Sequence, residues 1–207
     1  MALDLEEQEQ LDEFKAWWDK NGKLLINAII IGLIAFAAWQ AYQSWTHNKA
    51  AEASNIYQTL VTTDTSKSSE IKLQSTKLKD NYKGTPYAGR AAVYAAKASY
   101  INKDIADAKT QLEWAIKNAK ESSVSAIASI ELAGILYENK EYDAANKVLN
   151  DIKDPGFYGL KDNMLGDILL AQNKPEDAKK AYENALKNLD HQGKLFRLTQ
   201  QKLESLG

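Results

Sequence analysis

The chain has 207 residues, with 26 lysines and arginines against 28 acids, and no cysteine. That length sets one or two domains. The lack of cysteine excludes disulfide frameworks, Cys-ligated zinc and thiol nucleophiles, and the near-neutral balance lacks the basic footprint of a nucleic-acid binder. His47 and His191 stand 144 positions apart, which argues against a His-rich metal site.

Charge divides the chain into three unlike parts. Residues 1–23 hold seven acids and three lysines, residues 24–42 hold no charge, and residues 43–207 hold 23 bases and 21 acids. These boundaries predict an acidic leader (1–23), a transmembrane helix (24–42) and a helical domain (43–207).

In the leader, Leu11, Phe14 and Trp18 recur at helical spacing opposite Asp12 and Glu13. The pattern predicts a short amphipathic helix next to the membrane. Its acids leave two readings open, contact with a basic protein surface or a solvated, frayed terminus.

Leu24 to Tyr42 reads LLINAIIIGLIAFAAWQAY. As a helix it spans roughly 28 Å, close to the hydrocarbon thickness of a bilayer. In lipid the backbone amides must be satisfied internally, so a helix is required. Trp39, Tyr42 and Trp45 at one end, with Trp17 and Trp18 beyond the other, fit interfacial anchors. Ala35-Phe36-Ala37 imitates a signal-peptidase site, but it lies inside the apolar run and follows a long acidic leader, unlike a signal peptide. Lys15, Lys20 and Lys23 precede the run, while only Lys49 follows closely. Bases favour the cytoplasmic side, which puts the amino terminus there and the large domain across the membrane. Ala28, Gly32 and Ala35 share one face, where small side chains let a second membrane helix approach. Small residues are common in transmembrane helices anyway, which is the competing reading.

Beyond Trp45 the pattern is helical. Lys49–Leu60 continues the membrane helix, Thr62–Ser68 is a polar break, and Ser69–Tyr82 is a further helix. Thr85 and Pro86 then read as an N-cap followed by proline at the first helical position.

From Pro86 on, helices come in repeating pairs. Ala108, Ala145 and Ala178 each precede a large residue four positions on (Leu112, Leu149, Tyr182) and a further apolar residue seven on (Ala115, Ile152, Ala185). The intervals are 37 and 33 residues, bracketing the tetratricopeptide period of about 34. Ala96, Ala133 and Gly166 supply small residues on the preceding helices, Tyr87–Ile101, Ser123–Glu138 and Leu160–Gln172. Two antiparallel helices approach closely only where side chains are small, and each pair leaves an apolar face for the next to cover. The predicted fold is therefore all-α, a single N-terminal transmembrane helix followed by a tetratricopeptide-like array of helical hairpins. Gly193–Leu206 reads as a capping helix.

No nucleophile elbow, P-loop, dinucleotide fingerprint or H-E-x-x-H occurs. The residues point away from catalysis, and no cofactor is expected. Aromatic residues such as Tyr94, Tyr100 and Tyr137 are spread through the repeats, either as packing or facing a concave groove that takes peptides or helices. Phe157 and Tyr158, flanked by Pro155-Gly156 and Gly159, form the candidate contact loop.

The order of these parts resembles the YfgM family of ancillary SecYEG translocon subunits. The likeness rests on Glu9-Gln10-Leu11 with Trp17-Trp18, then Asn21-Gly22-Lys23 ahead of the membrane helix. It continues through Tyr142-Asp143-Ala144-Ala145 with Leu149, Gly156-Phe157, Gly166-Asp167, and Ala178-Lys179-Lys180-Ala181-Tyr182 with Ala185-Leu186. It covers essentially the whole chain, although Leu165 stands where the family often has a base before Gly-Asp. The resemblance implies a single-pass bacterial inner-membrane protein with a periplasmic domain, placed beside the SecYEG channel. It also implies periplasmic chaperones as partners, including the prolyl isomerase PpiD, and a link to an envelope-stress regulator. From the residues alone come only the tether in membrane lipid, the topology and the scaffold. The leading reading is a non-enzymatic scaffold that helps secreted or envelope proteins fold. The alternative is a membrane-anchored regulator that sequesters a signalling protein, and a cell-wall or division scaffold is a third.

Overall fold

The computed structural model describes residues 5–207. Among the described residues there are nine α-helices, one 3-10 turn and no strand, so the fold is all-α. In chain order the helices are α1 (Leu5–Thr62), α2 (Ser68–Asn81), α3 (Pro86–Ile101), α4 (Ile105–Asn118) and α5 (Ser122–Glu138). They continue with α6 (Tyr142–Asn150), the 3-10 turn Pro155–Phe157, α7 (Tyr158–Ala171), α8 (Pro175–Asn188) and α9 (Lys194–Glu204). The contacts divide the chain into two units, one ending at Asn48 and one running from Lys49 to Gly207.

In the first unit, α1 runs unbroken through the leader and the apolar stretch rather than forming a separate short helix. Gly22 does not interrupt it. A Cβ at Gly22 would lie 3.0 Å from Cε2 of Trp18, so the indole covers the position a side chain would fill. Every residue from Leu24 to Tyr42 is exposed, as expected of an apolar stretch whose solvent is lipid. Among the described residues this is the one helix long and apolar enough to cross a membrane.

The second unit is built around alanine. In α3, Ala88, Ala91, Ala92, Ala95, Ala96 and Ala98 are all buried to 1% exposure or less. Burial on two faces follows because α3 is packed from both sides. One side meets Ala53 and Leu60 of α1 with Ile71 and Leu78 of α2. The other meets Leu112 of α4 and, through it, a continuous core that reaches Ala133, Leu149 and Ile168. Methyl-sized side chains let backbones approach closely, and each hairpin covers the apolar face of the last. At Gly89 the approach is tighter still, since an added Cβ would lie 2.8 Å from that of Ala119.

The turns inside the three pairs are equivalent. Lys103, Lys140 and Asn173 have φ of 63°, 61° and 61°, and they recur at the 37- and 33-residue intervals of the repeat. In each turn the next N–H reaches back five residues, from Asp104 to Ser99 O, Glu141 to Leu136 O and Lys174 to Leu169 O, at 2.8–2.9 Å. This is a Schellman closure, which satisfies the last carbonyls of the first helix and normally places glycine at the left-handed position. Here lysine or asparagine occupies it.

Two details depart from the sequence reading. Thr85 holds the extended backbone of an N-cap and Pro86 follows it, yet the Thr85 hydroxyl makes no cap bond. It donates instead to Tyr82 O at 2.8 Å, closing the turn behind it. The segment read as a loop at Pro155–Gly159 folds into the 3-10 turn and the first residues of α7. Asp154 drives this by accepting from the Gly156 N–H at 3.0 Å and from the Ser122 hydroxyl at 2.7 Å.

A polar latch secures α9. Lys202 Nζ donates to Asp167 Oδ1 and Oδ2 at 2.7 and 2.8 Å, and the buried Thr199 hydroxyl donates to Asn163 Oδ1 at 2.9 Å. The far end of α9 is held by Lys179, which donates to the Gly207 carbonyl.

Candidate protein-binding groove

The second unit keeps eight large apolar side chains exposed, and six lie on the first helices of the pairs: Tyr100, Ile101, Ile127, Tyr137, Leu160 and Leu170. Five of these six, all but Ile101, keep the spacing of the repeat. Tyr100, Tyr137 and Leu170 are separated by 37 and 33 residues, and Ile127 and Leu160 by 33. Equivalent positions in stacked hairpins share a face, so these side chains form one apolar strip along α3, α5 and α7. Apolar side chains held in water at repeated positions make this face the candidate interaction surface.

The strip deepens between α3 and α5. A cavity of about 340 Å³ is lined there by Lys97, Tyr100, Leu112, Glu131, Gly134 and Glu138. Lys97 and Glu131 also line an adjoining cavity of about 200 Å³, whose other walls include Tyr57, Tyr94, Val124 and Ile127. Gly134 lines the first cavity with backbone alone. It stands in the repeat where Lys97 and Asp167 stand in the neighbouring pairs, and a Cβ on it would meet only Met164 Cε, at 3.5 Å.

The charges around the groove are unequally committed. Arg90 donates to both carboxylate oxygens of Glu121, at 2.6 and 2.7 Å. Glu138 accepts from the Tyr100 hydroxyl at 2.7 Å. Tyr94 donates to Val61 O at 3.2 Å. Asp167 is engaged by Lys202 and by the Tyr182 hydroxyl at 2.7 Å. Glu131 differs. Its carboxyl reaches solvent, yet the apolar walls push its pKa up, with only Lys97 opposing.

The residues singled out from the sequence fall in three places. Ala108, Leu112, Ala145, Leu149, Ala178, Tyr182 and Ala185 are at most 1% exposed, as are Ala96 and Ala133. Gly166 is buried beside them. These residues form the packing between helices and keep the groove rigid. Ala28, Gly32 and Ala35 are exposed on α1, with nothing within 4 Å of a Cβ built on Gly32. Trp17, Trp18, Trp39, Tyr42 and Trp45 are likewise exposed. Phe157 and Tyr158 lie outside the groove. Phe157 packs on the main core, while the Tyr158 hydroxyl donates to Lys153 O at 3.3 Å and Lys161 Nζ lies 4.5 Å from the centre of its ring. Both rings are thus engaged within the chain. The groove residues Lys97, Ile127, Glu131, Gly134 and Leu160 were not singled out from the sequence. The signal for them was present, because they keep the same period as the buried alanines.

Stacked helical hairpins with an apolar strip on their first helices define a protein-interaction scaffold of the tetratricopeptide type. Residues 15–207 match the tetratricopeptide repeat-like domain family. The chain is 31% identical to the ancillary SecYEG translocon subunit of Neisseria gonorrhoeae, over the whole of both chains. It is 30% identical to that of Aggregatibacter actinomycetemcomitans over 91% of this chain and 92% of the relative. To that of Escherichia coli it is 26% identical, over 97% of this chain and 96% of the relative. The chain belongs to the family of ancillary SecYEG translocon subunits. With one helix among the described residues long and apolar enough to cross a membrane, it is a membrane-anchored protein.

Proposed function

We propose that this chain is a non-enzymatic ancillary subunit of the SecYEG channel. Residues 24–42 anchor it in the inner membrane, residues 1–23 lie in the cytoplasm and residues 43–207 form the periplasmic domain. That domain holds periplasmic chaperones, of which PpiD is the expected one, beside polypeptides leaving the channel. The observation that supports this reading is the match, over the whole of both chains, to a relative named an ancillary SecYEG translocon subunit. Orientation is supported by Lys15, Lys20 and Lys23 on one side of the apolar stretch against Lys49 on the other. Tethering supports the mechanism, because confinement at the membrane raises effective concentration without any new contact.

The test is affinity isolation of the full-length chain in mild detergent, with co-isolated proteins identified by mass spectrometry. A companion variant carries an unrelated membrane helix in place of residues 24–42. Channel subunits and periplasmic chaperones are expected with the natural chain, and the swap assigns each to the helix or to the repeats. Isolation of wall-synthesis or signalling proteins without channel subunits would overturn the reading. Protease added to spheroplasts is expected to digest the repeat domain and spare the leader.

A further inference from the structure

We infer that the Gly134 cavity is a two-part polypeptide subsite: it takes one apolar side chain, and the Glu131 carboxylate takes a lysine or arginine beside it. This rests on the reading of the repeat domain as a scaffold that holds polypeptide, and it names which polypeptide chemistry the groove selects.

Two observations carry it. The first is shape. Gly134 is the small residue in the series Lys97, Gly134, Asp167, and it lines the cavity together with Tyr100, Leu112 and Glu138. A volume of about 340 Å³ open to solvent accepts a leucine- or phenylalanine-sized group with space to spare. The second is charge. Arg90 is committed to Glu121, and Glu138 already accepts from Tyr100. Glu131 accepts no hydrogen bond among the described residues, and Lys97 is its one cationic influence. Glu131 is exposed at the cavity, where a ligand can bring a charge-assisted donor to its carboxylate. Two carboxylates against one ammonium at this cavity make the arriving cation the favoured sign. A chain that has not yet folded exposes apolar and basic side chains together, whereas a folded surface buries the apolar one.

The test uses the full chain in nanodiscs and short fluorescein-labelled peptides of serine, leucine and lysine, read by fluorescence anisotropy. Companion peptides carry glutamate for lysine, or serine for leucine. The lysine–leucine peptide is expected to bind at least tenfold more tightly than either companion. Glu131→Lys is expected to reverse the preference, weakening the lysine peptide about tenfold and strengthening the glutamate peptide, as follows when one charge partner is exchanged. Gly134→Leu should abolish binding of all three peptides. Because Gly134→Leu replaces a helical glycine, circular dichroism should show it folded, and Glu131→Gln serves as a second, isosteric variant that weakens only the lysine peptide. Equal binding of the lysine and glutamate peptides, or unchanged binding to Gly134→Leu, would overturn the inference. So would a dimer by sedimentation that Gly134→Leu dissociates, since the cavity would then be filled by a second copy of this chain. Failure here with channel subunits still co-isolating removes the subsite alone. Loss of channel subunits from the natural chain removes the broader reading.

Discussion

The ring of Tyr182 occupies the space that a side chain at Gly166 would need: an added Cβ would lie 2.3 Å from Cε1 and 2.5 Å from Cδ1. Tyr182 is wholly buried, so the ring has no room to retreat. Gly166→Ala therefore sets a gain in helix propensity of about 1 kcal/mol against overpacking. Overpacking wins, because the clash is with a ring packed on all sides. The expected net loss is about 1–2 kcal/mol, or a fall of roughly 2–8 °C in Tm for a domain of this size. A thermal melt by circular dichroism checks it, and an unchanged or higher Tm would contradict the close approach.

The same tyrosine should report on alkaline stability. Burial, and then the hydrogen bond to Asp167, push its pKa above the ordinary 10.0. The folded chain thus keeps a proton that the unfolded chain releases, so stability falls as pH rises beyond about 10. Tyr182→Phe should cost about 1 kcal/mol near neutral pH by removing that bond, and it should lose less stability than the natural chain toward pH ~11. Urea unfolding at a series of pH values gives both slopes, and parallel declines would rule the linkage out. Ultraviolet titration of the variant should lack the last tyrosine to ionise.

Lys103 and Lys140 hold the left-handed backbone at exposed turn positions. That conformation costs an L-residue about 1–2 kcal/mol, part of which glycine returns through its greater freedom when unfolded. Lys103→Gly and Lys140→Gly should each stabilise by about 0.5–1 kcal/mol, and the double change should add, since the turns share no partner. Destabilisation by either would mean that the lysine side chain contributes more than its backbone strain.

Glu131 separates binding from stability. Its raised pKa means the folded state holds the proton more tightly, so its contribution to stability diminishes as pH climbs from 4.5 through the folded pKa. Above that range the charge is carried at a cost, opposed by Lys97 and accompanied at the cavity by Glu138 and Tyr100. Glu131→Gln should thus match or slightly exceed the natural chain at neutral pH, within about 0.5 kcal/mol. The balance should move toward the natural chain as the solution is acidified. A marked loss of stability at neutral pH would show the carboxylate to be a structural partner.

Much of this architecture is legible in the sequence, for reasons that particular residues make clear. Ala108, Ala145 and Ala178 announce the hairpins because close helix approach tolerates few residue types, so the period is written in small side chains. The long uncharged run at 24–42 is legible because lipid admits few charges. The groove was harder to read. Tyr100, Ile127 and Leu170 belong to the same residue classes as the core, and only the stacking of hairpins tells which apolar position faces water. Gly134 has no distinguishing neighbour in sequence, and its meaning comes from Met164 and Leu112 across the helices. The backbone at Phe157 and Tyr158 was hard to read for the opposite reason. Pro155 and Gly156 suggest an open loop, whereas Asp154 folds them into a turn that sets Phe157 on the core.

Because Tyr100, Tyr137 and Leu170 return once per hairpin, the reading surface is a ruler whose unit is the hairpin itself. Its length is set by how many hairpins the chain contains, since each closes its own turn and touches only its neighbours. One more hairpin, spliced between α6 and α7 with its own exposed ring, would lengthen the ruler by a single graduation and leave the existing marks in place.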